Sequence, residues 1–244
     1  MAKNLVDLLW RKDASARSDG RRGPRARVSV DDVVAGAIEL ADTGGADAMT
    51  IRALAQSRDL TTMSVYTHVN SRADLLVLMV DEVHARMAAS SSHEADWRAR
   101  VRRVADENLA LFRAHAWMLD VSDARVAVGP GTIAKYDREL RAFDDTGLSA
   151  VERDAALSFV LDFVRATAAR MRESAEREQF GSFWAEAGPR LTSYLGDDFP
   201  LAQSVGRAAG EEMDAPYDAG AAWGFGLARV IDGLARIVSD PSAR

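Results

Sequence analysis

The chain of 244 residues has no cysteine and only four histidines, His68, His84, His93 and His115. Disulfides and thiolate metal sites are thereby excluded. No two histidines stand at a metal-binding spacing, so neither a metal centre nor a histidine-based catalytic triad is expected. Long apolar runs are missing as well: no window approaches the ~18 residues of a bilayer span. The opening MAKNLVDLLWRKD, interrupted by Asp7, is too short to read as a signal peptide. These absences predict a cytoplasmic protein that is not an enzyme, with no cofactor, no metal and no membrane partner. Alternating strand patterns and internal repeats are absent too, and the length suits two units.

What the chain does have is unevenly distributed charge. The formal net charge is -6, yet residues 1–28 hold eight lysines and arginines against three aspartates, whereas residues 29–75 hold three against seven acids. Arg17, Arg21, Arg22, Arg25 and Arg27 crowd the end of the basic block. Charge mixed with Ser, Gly and Pro cannot bury enough apolar area to offset ordering entropy, so residues 1–28 are expected to be a flexible basic arm. Two readings of it stand, a solvated tail or a contact with a polyanion.

Helical signals begin at Ser29. It suits an N-cap, Asp31 and Asp32 suit the positive end of a helix, and Val30, Val33, Val34, Ala37, Ile38 and Ala41 share one stripe. The TGG at 43–45 predicts its end, with a glycine available for positive φ. Thr50 can cap IRALAQSR and Thr61 can cap TMSVYTHV, with only residues 58–60 between, which is the layout of a helix-turn-helix. A further helix follows, with Ser71 and Asp74 at capping-box spacing. Beyond it helices are predicted near 95–115, 132–145, 149–177, 179–195, 200–210 and 218–238, separated by Gly, Pro and Asp breakers.

With Val65 as the inward reference of the short helix at 62–69, Val69 falls beside it. Met63, Ser64, Tyr66, Thr67 and Asn70 fall opposite, with Thr62 and His68 at the margins. Small hydroxyls and methyl groups suit base edges in a major groove, while Tyr66 and His68 are better placed for phosphates. A plain solvated face is the other reading. Arg52, pointing away from Ile51, Leu54 and Ala55, could fork onto guanine or a phosphate.

The stretch VSVDDVVAGAIELADTGGADAMTIRALAQSRDLTTMSVYTHVNSRADLLVLMVDEV, about residues 28–84, resembles the DNA-binding domain of the tetracycline-repressor family of one-component transcriptional regulators. The likeness rests on ELADTGG, IRALAQ and MSVYTHVNSRADLL in the family's order and spacing. The resemblance implies DNA contacts at Thr50, Arg52, Thr62, Met63, Ser64, Tyr66, Thr67 and His68, and Arg72 matches the family's phosphate-contacting lysine. The family's usual turn glycine is Asp59 here. Arg21, Arg22 and Arg25 could reach an adjacent minor groove, as homeodomain arms do.

The expected fold is all-α: the basic arm (1–28), a three-helix helix-turn-helix domain (29–75) and a larger helical ligand-binding and dimerisation domain (76–244). In the last helix Gly224, Leu227, Ile231 and Leu234 follow the spacing of a packing seam, either within the chain or, as the resemblance implies, in a homodimer. Candidate ligand contacts are Asn108, Phe112, His115, Phe159, Phe163 and Trp184, aromatics and polar residues amid apolar helix. The expected function is a regulator, a repressor released from a near-palindromic double-stranded operator by a small-molecule effector. Its alternatives are an effector-independent architectural DNA-binding protein and an all-helical small-molecule-binding enzyme.

Overall fold

The computed structural model describes residues 3–13, 28–87, 96–176, 187, 190, 191, 193–196, 198–213 and 219–239. Among them all regular structure is helical. Two compact units divide the chain, Met1–Leu157 and Ser158–Arg244. The first holds α1 (Leu5–Leu9), α2 (Val30–Ala48), α3 (Ile51–Ser57), α4 (Thr62–Tyr66), α5 (Arg72–Arg86), α6 (Trp97–Ala114) and α7 (Pro130–Leu140), with 3-10 turns at Ala116–Asp120, Ala124–Val128 and Arg141–Phe143. α8 (Ala150–Glu176) begins there and runs into the second unit, which also holds α9 (Pro200–Met213) and α10 (Ala219–Ser239). No described helix is long and apolar enough to cross a membrane. The helix expected at 179–195 falls for the most part outside the described residues.

The helix starts follow from capping chemistry. Ser29 accepts from the backbone N–H of Asp32 at 3.1 Å while the Asp32 carboxylate accepts from that of Ser29 at 2.8 Å, a complete capping box. Thr50 caps α3 through the N–H of Ala53, and Thr61 caps α4 through that of Ser64. α2 is interrupted at Gly45, whose φ of 79° and ψ of 175° are essentially open to glycine alone. Between α3 and α4 the turn closes through Leu60 N–H to Ala55 O at 2.8 Å and holds Asp59 at φ 52°, the left-handed conformation that glycine adopts without cost.

The core of the first unit is built around α5. Leu75, Val77, Leu78, Met79, Val80 and Val83 are all buried, in one cluster with Val33, Val34, Ala37 and Ile38 of α2, Leu54 and Ala55 of α3, and Val65 and Val69 at α4. A boundary expected after residue 75 falls inside α5, whose apolar residues are buried nearly all round, as in a helix enclosed by neighbours.

Two expectations are corrected here. Order does not begin at Ser29: residues 3–13 contain α1, whose Leu8 and Leu9 are buried in the same cluster as α2 and α5. The apolar LVDLL followed by Trp10 outweighs the basic composition around it. In α10, Leu227, Ile231 and Leu234 are already buried within the single chain, at 0%, 4% and 5% exposure, so they have no surface to give a partner. The seam they form is intramolecular, and of the four residues expected at a dimer interface Gly224 alone is exposed. Phe225 beside it is 69% exposed.

The strained turn positions are directly testable. Asp59→Gly should raise stability by about 1 kcal/mol by removing left-handed strain. Gly45→Ala should lower it by ~1–3 kcal/mol, although no atom lies within 4 Å of the added methyl. Urea denaturation of the two variants gives both signs.

Candidate nucleic-acid interface

α4 is short, and its position is fixed from one side. Val65 and Val69 are buried, which turns Thr62, Met63, Tyr66 and Thr67 outward, with Ser64 and His68 half-buried at the edges. Met63 is 72% exposed and Tyr66 47%. The exposed Met63 methyl can pack on a thymine methyl. The Thr67 hydroxyl donates to the Ser64 carbonyl at 2.7 Å, leaving its lone pairs and methyl for a base edge. The Thr50 oxygen is engaged as the α3 cap, so its hydroxyl proton is what it can offer a phosphate. His68 is held below the ordinary imidazole value, first by burial and then by Lys3, with Asp32 opposing. It is therefore a neutral hydrogen-bonding group at neutral pH, not a cation.

Positive charge on this head is mostly engaged by the protein itself. Arg58 pairs with Glu39 at 2.7 Å, Arg11 and Lys12 pair with Asp31 and Glu82, and Arg86 pairs with Glu82. Arg72, expected at a phosphate, donates from Nε to the Met49 carbonyl at 3.0 Å and from Nη2 to that of Ala46 at 2.6 Å. Its guanidinium binds the link between α2 and α3, because carbonyls beyond the Gly45 break lack helical partners. Among the described lysines and arginines before α6, only Arg52 and Lys3 have side-chain cations that meet no acid or carbonyl. Both residues are exposed. Arg21, Arg22 and Arg25 lie outside the described residues, between the anchored Asp13 and Val28.

The candidate ligand contacts do not converge. Asn108, at 2% exposure, donates to the Val104 carbonyl at 2.8 Å and to Glu139 Oε1 at 2.6 Å, while Lys135 Nζ donates to Glu139 Oε2 at 2.7 Å. It is a satisfied core amide within a buried ion pair. His115 Nδ1 and Trp117 Nε1 both meet Asp42 Oδ1 at 2.7 Å, so His115 joins the 3-10 turn after α6 to α2. Phe112 packs on the main core cluster. In the second unit Phe159 is exposed, and Phe163 stacks on Trp223 with ring centroids 5.5 Å apart against the bare backbone of Gly226. Trp184 lies outside the described residues. A cleft lined by Tyr136, Asp137, Leu140, Arg141, Asp144, Ala150 and Arg153 contains none of these six.

Sequence reasoning missed the polar seam between α5 and α7. Asp81 of α5 accepts from the Thr132 N–H at 2.9 Å, capping α7 from outside where its own N-cap, Gly129, has no side chain. A Cβ on Gly129 would overlap the Asp81 carboxylate. Burial raises the Asp81 carboxyl, opposed by hydrogen bonds from Thr132 and Gly131. Nearby His84 Nδ1 lies 2.9 Å from Thr132 Oγ1.

Residues 91–238 match the tetracyclin repressor-like C-terminal domain. The chain belongs to the tetracycline-repressor family. Among members of that family, it is 30% identical over 246 residues to the HTH-type transcriptional repressor DrrR1 of Streptomyces coeruleorubidus, covering 96% of this chain and 86% of that one. It is 27% identical over 172 residues to the class E tetracycline repressor protein of Escherichia coli, covering 68% and 78%. The TetR family protein ActR of Streptomyces coelicolor, solved in complex with actinorhodin, superposes with a TM-score of 0.70 at 26% identity, covering 86% of this chain and 97% of that one. With its exposed α4 and these relatives, this member of the tetracycline-repressor family is a DNA-binding transcriptional regulator.

His84 gives a pH prediction. Burial, then Lys135 and Arg138, depress its imidazole from 6.5 to about 3. The unfolded chain takes up that proton first, so stability is complete above the unfolded value and is lost as pH falls from about 6.5 toward 3, by up to ~1.4 kcal/mol per unit. His84→Gln should flatten this part of the profile in denaturation series between pH 7.5 and 4.5. Parallel profiles for the two proteins would exclude the assignment.

Proposed function

We propose that the chain acts as a homodimeric repressor on a near-palindromic operator, with one α4 in each of two successive major grooves, and that a small-molecule effector releases it. The observation that carries this reading is the exposed, methyl- and hydroxyl-bearing face of α4, mounted on buried Val65 and Val69 beside the unpaired Arg52. Thr62, Met63, Ser64, Tyr66, Thr67 and His68 read or border base edges. Thr50 serves phosphate, and Arg52 serves guanine or phosphate. ActR, solved with actinorhodin, supports the effector step. Release follows if the effector binds the conformer with mis-spaced heads more tightly than the operator-bound one. The proposed dimer face is the exposed side of the last helix, with Gly224 and Phe225, together with exposed Phe159 of α8. This arrangement leaves the intramolecular seam of Leu227, Ile231 and Leu234 intact.

The basic segment is assigned the bulk of the phosphate charge, because the head is acidic and most of its cations are engaged. Deleting it together with residues 3–13 would remove buried Leu8 and Leu9, so the test replaces Arg21, Arg22 and Arg25 by Ser. Operator binding should weaken by orders of magnitude at fixed salt. The slope of log K against log salt should flatten by several units per dimer, at about 0.9 per lost phosphate contact. An unchanged slope would contradict the assignment. Arg52→Ala should cost ~1–3 kcal/mol of operator affinity and relax discrimination at one position of each half-site.

A further inference from the structure

Asn70 sits just beyond α4, and the structure gives it a task other than reading DNA. Its side-chain Oδ1 accepts from the Lys3 backbone N–H at 2.8 Å and its Nδ2 donates to the Lys3 carbonyl at 2.8 Å. This reciprocal pair imitates strand pairing across 67 residues of sequence. The same Nδ2 donates to Asp74 Oδ2 at 3.0 Å. The Asp74 carboxylate is thus drawn away from completing a capping box with Ser71, which caps α5 alone through the Asp74 N–H.

From Asn70 two paths lead to the same place. One runs through Lys3 into α1, which is anchored by Leu8 and Leu9, and ends where Trp10 Nε1 donates to the Val128 carbonyl at 3.0 Å. The other runs through Asp74, whose Oδ1 accepts from Arg125 Nη1 at 2.8 Å, while Asp123 holds that guanidinium from its other edge. Arg125 and Val128 belong to one 3-10 turn, and the next residue, Gly129, is the N-cap of α7. The contacts close into a ring: Asn70, Lys3, Trp10, Val128, Arg125, Asp74 and back to Asn70.

We propose that Asn70 is a positioning residue for α4, and that through this ring the N-terminal helix sets the pose of the recognition helix from the start of α7. A single hydrogen bond at the end of a five-residue helix would let it pivot. A closed ring allows α4 to move only if α1, the 124–128 turn or α7 moves with it. The inference rests on α4 being the element that reads DNA, as proposed above.

The test uses the full chain in four forms, wild type, Asn70→Ala, Trp10→Phe and the double variant. The probe is a duplex that the wild-type chain selects from a random-sequence pool. Trp10→Phe keeps an aromatic side chain against the core while removing the Nε1 donor, together with the fused pyrrole that carries it. Each single change is expected to weaken binding by ~3–30-fold. The double variant should be no more than about twofold worse than the weaker single, as members of one unit behave. Thermal midpoints without DNA separate pose from fold, and that of Trp10→Phe should stay within a few degrees of wild type. Wild-type affinity in Trp10→Phe, losses that simply multiply in the double variant, or a Trp10→Phe loss that tracks the fall in its midpoint would each overturn the inference and leave the DNA-reading assignment standing. Failure of the wild-type chain to select any duplex would overturn both.

Discussion

The burial of α5 is the constraint on which the rest of the first unit depends. A helix with Leu75, Val77, Leu78, Met79, Val80 and Val83 all out of water must be enclosed by neighbours, and here α2, α7, α1 and the 124–128 turn provide them. Buried residues of α3 and α4 share one cluster with those of α5, and the polar seam of Asp81, His84 and Thr132 ties α5 to α7. Asp42, bonded to both His115 and Trp117, supplies a further joint between α2 and the turn after α6.

Electrostatics places a second constraint on the same surface. Holding the head together engages most of its cations, in ion pairs with Glu39, Asp31 and Glu82 and in the carbonyl grip of Arg72. What remains outward is a face of hydroxyls, methyls and a thioether, suited to discriminating bases but poor at attracting phosphates. Specificity and affinity are thus assigned to different parts of the chain, α4 with Arg52 for the first and the arginine segment before α2 for the second.

Much of this was legible in the sequence where the cause is local. Ser29, Thr50 and Thr61 act as caps because short hydroxyl side chains satisfy orphan N–H groups wherever a helix starts, and Gly45 and Asp59 mark the breaks that need positive φ. With Val65 taken as inward, helical periodicity places Val69 beside it, and both are buried. What escaped notice depends on distant partners. The five apolar-rich residues of α1 looked like part of a charged tail until α2 and α5 supplied a surface for Leu8 and Leu9. Periodicity along α10 showed a seam but not which helix fills it. Asn108 and His115 are polar residues amid apolar helix, and only their contacts with Glu139 and Asp42, 31 and 73 residues away, show that they hold structure together.

In the proposed complex two copies of α4 read one duplex in successive major grooves. Selection of bound sequences from a random duplex pool by the full chain measures this directly. One enriched near-palindrome is expected, its half-site centres about one helical turn apart, ~10 base pairs. An enriched single half-site without dyad symmetry, or no enrichment at all, would contradict it.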